Sequence, residues 1–282
     1  MMPSYFFQPR TKRGKTPGPK VLILGSVHGN ERCGAEALPR IFSLPLTRGS
    51  LTCLVGNPRA FDQNVRFLEA DLNRMFDDAH LSSAEERVWW EYKTAQRLKP
   101  LIEEADIVLD LHASTSVDSV PFAICEAPAQ ALAQGLPVAY MVGGFDRVQP
   151  GGTDWYAGQV GRLGICVECG YLGDPQTTPY AETVAKALLA SLGMLDESDA
   201  PAKVSPQPRT LEVTEQYLTT DNFTPSAPLP DFTLVQAGTL LGWDGGKPIT
   251  ASGAGYVLFL RGCDGAGQEA FLIAPSVSHK GG

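Results

Sequence analysis

The stretch Val21-Leu-Ile-Leu-Gly-Ser-Val-His-Gly-Asn-Glu31 reads as a buried strand that runs into a glycine-punctuated loop. Four consecutive apolar residues ended by Gly25 suit a strand covered on both faces, and Glu31–Phe42 then has the pattern of a helix that tolerates Pro39 near its end. The same alternation continues along the chain. Strands are expected at Leu51–Val55, Ile107–Leu111, Phe122–Cys125, Val138–Val142 and Ile165–Cys169, and helices at Ala84–Lys99, Ala127–Gln134, Trp155–Leu163 and Ala181–Leu192. Strands alternating with helices predict an α/β fold: a mixed, largely parallel sheet covered by helices on both faces.

The pattern changes near residue 200. Asp196-Glu-Ser-Asp-Ala-Pro-Ala-Lys-Val-Ser-Pro-Gln-Pro208 mixes charge, serine and proline without apolar periodicity, as a linker does. Beyond it, Leu211–Leu218, Thr233–Val235, Tyr256–Leu260 and Ala270–Ile273 are short β-rich runs between Gly and Pro turns. The expected organisation is therefore a first domain over 1–199 and a small all-β domain over 200–282.

Composition narrows the function classes. With 43% hydrophobic and 19% charged residues the chain is globular, and no apolar run approaches the ~18 residues of a membrane span. A net charge of −8 argues against nucleic acid, which wants a basic face. The basic first twenty residues lack the apolar core of a secretory signal, so a cytoplasmic location is expected. The six cysteines sit in apolar segments and read as reduced small hydrophobes, including Cys166 and Cys169, whose CxxC spacing falls inside a strand instead of at a helix start. Gly25, Gly29 and Gly34 do not make the GxGxxG of a dinucleotide site. Trp89-Trp90 reads as core or as an interface between copies of the chain.

Of the four histidines, His28 and His112 follow predicted strands, where ligand crevices of open α/β sheets lie. His28 and Glu31, three residues apart in a tight loop, can reach one ion, and His112 completes a His-Glu-His set. Such a set leaves one position of a tetrahedral zinc open, the arrangement of a catalytic ion. His80 and His279 lie in polar or terminal surroundings and read as solvated.

Five separated blocks, Gly25–Glu31, Gly56-Asn-Pro-Arg-Ala60, Asp71-Leu-Asn-Arg-Met-Phe76, Asp110-Leu-His112 and Val167-Glu-Cys-Gly170, together resemble the succinylglutamate desuccinylase/aspartoacylase family, whose fold and metal site are related to those of zinc carboxypeptidases. The resemblance implies hydrolysis of a small anionic N-acyl amino acid at one zinc ion per subunit, held by His28, Glu31 and His112. By the same likeness Glu168 is the general base, Arg66 steadies the oxyanion and binds substrate, and Asn73 and Arg74 bind the substrate carboxylate. It further implies that the β domain caps the cleft. The competing readings are surface ion pairs, Arg66 with Glu69 and Arg74 with Asp77, and a Glu168 neutralised by an arginine. The family's further arginine ahead of the base has two candidates, Arg147 and Arg162, and Gly262–Gln268 lacks the tyrosine expected in the C-terminal domain. Alternatives at the level of function are a zinc carboxypeptidase acting on peptides and a non-catalytic metal- or metabolite-binding protein on the same scaffold.

Overall fold

The computed structural model describes residues 4–81, 83–199 and 207–276. His279 lies outside them, as does the side chain of His80. The central sheet has eight strands: β1 (Arg10–Arg13), β2 (Thr16–Gly25), β3 (Arg48–Val55), β4 (Ile107–Ser114), β5 (Phe122–Ile124), β6 (Tyr140–Gly143), β7 (Leu163–Tyr171) and β8 (Arg209–Glu212), in the order β1-β3-β2-β4-β7-β5-β6-β8. Strands β3, β2, β4 and β7 run parallel, β1 is antiparallel to β3, and β5 is antiparallel to β7 but parallel to β6. The sheet is thus mixed and largely parallel, as the alternating pattern predicts.

Among the described residues seven α-helices surround it: α1 (Cys33–Ser43), α2 (Pro58–Gln63), α3 (Trp90–Glu104), α4 (Ala127–Ala133), α5 (Phe145–Val148), α6 (Thr153–Gln159) and α7 (Thr177–Ser191). Alternate residues of the central strands face opposite layers. Ile23, Leu109, Leu111, Ile165 and Val167 pack with Leu38 of α1 and Leu188 of α7. Leu22, Leu24 and Val108 face the other way, onto Leu98 and Ile102 of α3 and Ala157 of α6. Full burial on both faces explains why Val21–Leu24 reads as an unbroken apolar run.

Two differences from the expected elements have local causes. The helix expected over Ala84–Lys99 is a 3₁₀ turn at Ala84–Val88, an extended Trp89, and then α3, which continues past Pro100. Its start is set at Trp90, whose N–H is taken by the Glu69 carboxylate across a loop. Strand β1, absent from the expectation, is a polar edge strand with no alternation to read; it pairs Arg10 with Cys53 and Arg13 with Ser50.

After β8 the chain builds two four-stranded antiparallel sheets. One has the order β13-β12-β10-β15, from Lys247–Thr250, Leu240–Asp244, Asn222–Pro225 and Cys263–Asp264; the other has β11-β14-β16-β9, from Thr233–Val235, Gly255–Leu258, Glu269–Pro275 and Glu215–Leu218. Phe223, Leu241, Val257 and Phe271 fill the space between them. A separate cluster, in which the Tyr140 and Phe232 rings stack at 3.9 Å, joins this β region to the β5–β6–β8 side of the main sheet.

Candidate metal centre and cleft

The chain crosses from the β3 side of β2 to the β4 side between those two strands, so the order reverses there and a crevice opens at their carboxyl ends. His28 and Glu31 lie in the loop leaving β2. The loop is held close to its neighbours: Gly29 donates from its backbone to Arg66 O at 3.1 Å, and a Cβ on Gly29 would sit 2.1 Å from the Ala60 carbonyl carbon. Close approach, more than turning, is what requires glycine here. The left-handed turn falls on Ser26 (φ 53°), whose hydroxyl donates to Glu31 O at 2.8 Å.

His112 lies within β4, and the parallel register pairs it directly with Glu168 of β7, so both side chains leave the same face of the sheet. His28, Glu31, His112 and Glu168 are 5%, 2%, 2% and 8% exposed. One ligand atom from each of His28, Glu31 and His112 falls within 4.8 Å of the others. Glu31 Oε1 is 2.9 Å from His28 Nδ1, and its Oε2 is 2.8 Å from His112 Nδ1. His28 Nδ1 and His112 Nε2 are both buried and in no hydrogen bond. Each outer nitrogen meets a carboxylate: His28 Nε2 pairs with Asp71 Oδ1 at 2.9 Å, and His112 Nε2 lies 2.9 Å from Asp110 Oδ2. Asp110 is fixed in turn by the Thr153 hydroxyl at 2.6 Å. Two imidazoles oriented from behind by carboxylates, with both Nδ1 atoms turned to a shared carboxylate, fit a divalent ion.

The electrostatics agree with that fit. Burial raises the Glu31 carboxyl, but His28 and His112 outweigh it and hold it well below the usual range. Burial likewise disfavours the His112 imidazolium, yet Asp110 and Cys166 together more than reverse this and hold its pKa well above the ordinary value. The pocket therefore favours positive charge between these groups, and a cation would compete there with protons. Glu168 behaves differently. Burial first, then the Glu31 carboxylate, push it up to about 8, and its Oε2 has no hydrogen-bond partner. No arginine forms an ion pair with it among the described residues, which removes the salt-bridge alternative. A carboxylate with that pKa, open to the cleft, can take and return a proton near neutral pH.

Arg66 does not pair with Glu69. Its Nη1 donates to Glu31 Oε1 at 2.8 Å and its Nη2 to Asp71 Oδ2 at 3.2 Å, and it lines the cleft. Arg74 also lines the cleft and donates to Asn73 O at 2.7 Å, without pairing to Asp77. The Asn73 side-chain oxygen is buried with no partner, beside both. Arg147 and Arg162 do not line the cleft: Arg147 pairs with Glu212 at 2.7 Å, and Arg162 Nε is buried elsewhere without a partner.

Several cleft groups carry no role in the sequence reading. The Asp71 and Asp110 contacts were open to inference, since Asp110 and His112 stand two apart on one strand and so share a face. Phe259, Arg261 and Glu269, from the C-terminal strands and their connections, gave no such signal. Phe259 has a left-handed backbone (φ 56°), and its N–H donates to Asp231 Oδ1 at 2.7 Å. Asp231 Oδ2 accepts from the hydroxyls of Ser114 and Ser119 at 2.9 and 2.7 Å, tying the β region to the end of β4. All six cysteines are free and buried. No helix among the described residues is long and apolar enough to cross a membrane.

Residues 17–197 match the succinylglutamate desuccinylase/aspartoacylase catalytic domain, a span that holds all seven of the predicted site residues. A probable aspartoacylase of Acaryochloris marina is 38% identical over 105 residues, 34% of this chain and 35% of that protein. An N-acyl-aromatic-L-amino acid amidohydrolase (carboxylate-forming) of Xenopus laevis is 37% identical over 109 residues, 36% of each chain. The matches to these curated relatives thus span about a third of their lengths. Among solved structures, the product-bound ectoine utilization protein EutE (DoeB) of Ruegeria pomeroyi aligns with a TM-score of 0.73 at 20% identity, covering 95% of this chain and 88% of that one. A succinylglutamate desuccinylase/aspartoacylase of Rhodobacter sphaeroides aligns at 0.73 and 19% identity, covering 96% and 89%. These likenesses show that the fold is shared over nearly the whole chain. The catalytic-domain match, over well more than half of the residues, places the chain in the succinylglutamate desuccinylase/aspartoacylase family.

Proposed function

We propose that this protein is a zinc-dependent hydrolase that cleaves the amide of a small N-acyl amino acid to a carboxylate and a free amine. The observation that carries the reading is the convergence of His28 Nδ1, Glu31 and His112 Nδ1 beside a buried, unpartnered Glu168 in one cleft. His28, Glu31 and His112 would hold the ion, and the chemistry it supplies is Lewis-acid polarisation of the acyl carbonyl and activation of water. Glu168 takes the proton of the attacking water and passes it to the departing amine. Arg66 donates from two of a guanidinium's five N–H groups to Glu31 and Asp71, which leaves others in the cleft for the developing oxyanion. Arg74 and the Asn73 amide grip the substrate carboxylate.

In this reading residues 1–199 form the catalytic domain, with β8 (Arg209–Glu212) completing its sheet, and the β domain that follows caps the cleft, with Phe259, Arg261 and Glu269 narrowing its mouth. That cap favours a small substrate over a peptide, and an unpaired general base has no use in a protein that only binds. The test is a panel of N-acetyl and N-succinyl amino acids with metal-analysed protein and a chelator control. Hydrolysis that disappears with the chelator and returns with Zn²⁺ is the expected result; a fully zinc-loaded protein inert toward the whole panel would defeat the proposal.

A further inference from the structure

Glu91 opens helix α3 and is 0% exposed, yet forms no ion pair among the described residues. A carboxylate in that position costs several kcal/mol unless donors surround it. Here the donors come mainly from one loop. Glu91 Oε1 accepts from Leu68 N at 2.8 Å and from Asn57 Nδ2 at 3.1 Å; Oε2 accepts from Glu69 N at 3.2 Å and Ala70 N at 3.5 Å. Glu69 reciprocates, its Oε2 accepting from Trp90 N at 3.1 Å. Three successive backbone N–H groups are thus gathered around one buried carboxylate.

The location of that loop gives the arrangement a further consequence. Arg66 precedes the clamped residues and Asp71 follows them. Arg66 contacts Glu31, Asp71 contacts His28, and the two contact each other. Arg66 O also accepts from Gly29 N at 3.1 Å, inside the loop that carries both His28 and Glu31. Fixing 68–70 therefore fixes the two side chains that orient the proposed metal ligands from behind.

We propose that Glu91 is a positioning residue that acts through Arg66 and Asp71 to hold His28 and Glu31 in ligand geometry. The inference rests on the reading that His28, Glu31 and His112 bind a divalent ion. Glu91→Gln keeps the size of the side chain but turns one acceptor into a donor, which then faces another N–H donor. The loop loosens while the three ligands remain.

The experiment is a competition titration with Zn²⁺ and a chelator on the full chain, for the wild type, E91Q, E91D, R66K and E91Q/R66K. Amide exchange of the metal-free proteins is followed in parallel. Loss of groups behind metal ligands typically weakens affinity ~10–100-fold, and a residue acting through them belongs at the lower end, ~10-fold for E91Q. The Leu68, Glu69 and Ala70 amides should exchange faster, and the double variant should bind little worse than R66K alone, because both changes break the same chain of contacts. E91Q and E91D with Kd within twofold of wild type, or losses that simply add in the double variant, overturn the proposal. Should E91Q fail to fold, E91D decides: a raised Kd supports it and an unchanged one refutes it. A wild type that binds no Zn²⁺ sinks the metal reading itself, a distinct outcome.

Discussion

The two walls of the cleft are built by different means. One wall stands at the carboxyl ends of β2, β4 and β7, where His112 and Glu168 project together because the ladder pairs them residue to residue. The other comprises the 66–74 loop and the C-terminal strands with their connections, where Arg66, Arg74, Phe259 and Arg261 reach the cleft through side-chain and loop contacts. Backbone hydrogen bonds of a buried sheet hold the first wall, and changing one side chain leaves them intact. In the second, each group depends on particular partners. The first wall is thus suited to groups that must not move during bond breaking, and the C-terminal part of the second to choosing what is bound.

The largest effects should come from the strand wall. Glu168→Gln keeps shape and register but cannot accept the proton, so kcat should fall ~10²–10⁴-fold while zinc content stays stoichiometric. His112→Ala removes a proposed ligand, and metal analysis after dialysis should find no bound equivalent. Full turnover by E168Q would strip Glu168 of its role and leave this wall with metal binding alone. Behind the ligands, Asp71→Asn and Asp110→Asn should each weaken Zn²⁺ binding ~10–100-fold, read by chelator competition. Losses of the same order are expected although Asp71 lies in a loop and hydrogen-bonds His28 Nε2 while Asp110 lies in a strand and only approaches His112 Nε2, since each carboxylate stands 2.9 Å from an outer imidazole nitrogen. A large loss at one aspartate alone would show that the walls differ in stiffness as well as in origin.

The C-terminal strands and their connections should give smaller, binding-type changes. Arg261 is half exposed, and its Nε donates to Glu269 O at 3.0 Å. Arg261→Ala should raise KM about 10-fold with kcat within twofold, the signature of binding shared equally by ground and transition states. A fall in kcat with unchanged KM would move Arg261 to the chemical side of the cleft and erase the contrast.

The same division explains what was legible in the sequence. Strand wall residues follow an apolar run that ends in a polar residue, so His28, His112 and Glu168 announce themselves by position. The sheet reads equally well, because its central strands are apolar on both faces. The start of α3 does not, since it is set by Glu69, distant along the chain. Phe259 and Arg261 are hidden for a similar reason. Their placement depends on Asp231, which joins Ser114 and Ser119 to Phe259 N, and no local periodicity records a contact between residues more than a hundred positions apart. Arg147 and Arg162 had the right chemistry and chain position, but Arg147 pairs with Glu212 and Arg162 lies outside the cleft, which spacing alone cannot show.

The smallest expected effect concerns Asp146, on α5 where the two walls meet. Burial first, then the neighbouring carboxylates of Glu126 and Asp154, raise its pKa to about 6. Unfolded, the group titrates near ~3.9. Between those values the folded chain binds more protons than the unfolded one, so stability falls as pH rises from about 4 to about 6 and is level above. Complete burial would make a rise from ~3.9 to about 6 cost roughly 3 kcal/mol, but Asp146 is only half-buried, and screening reduces this to the order of 1 kcal/mol. Asp146→Asn removes the titration while keeping a hydrogen-bonding side chain. Urea unfolding of the metal-free proteins at pH 4.5 and 7.5 should therefore show the variant gaining about 1 kcal/mol on the wild type at the higher pH. An equal difference at both pH values would mean that water reaches Asp146 freely, and that the seam between the two walls is open instead of closed around its carboxylates.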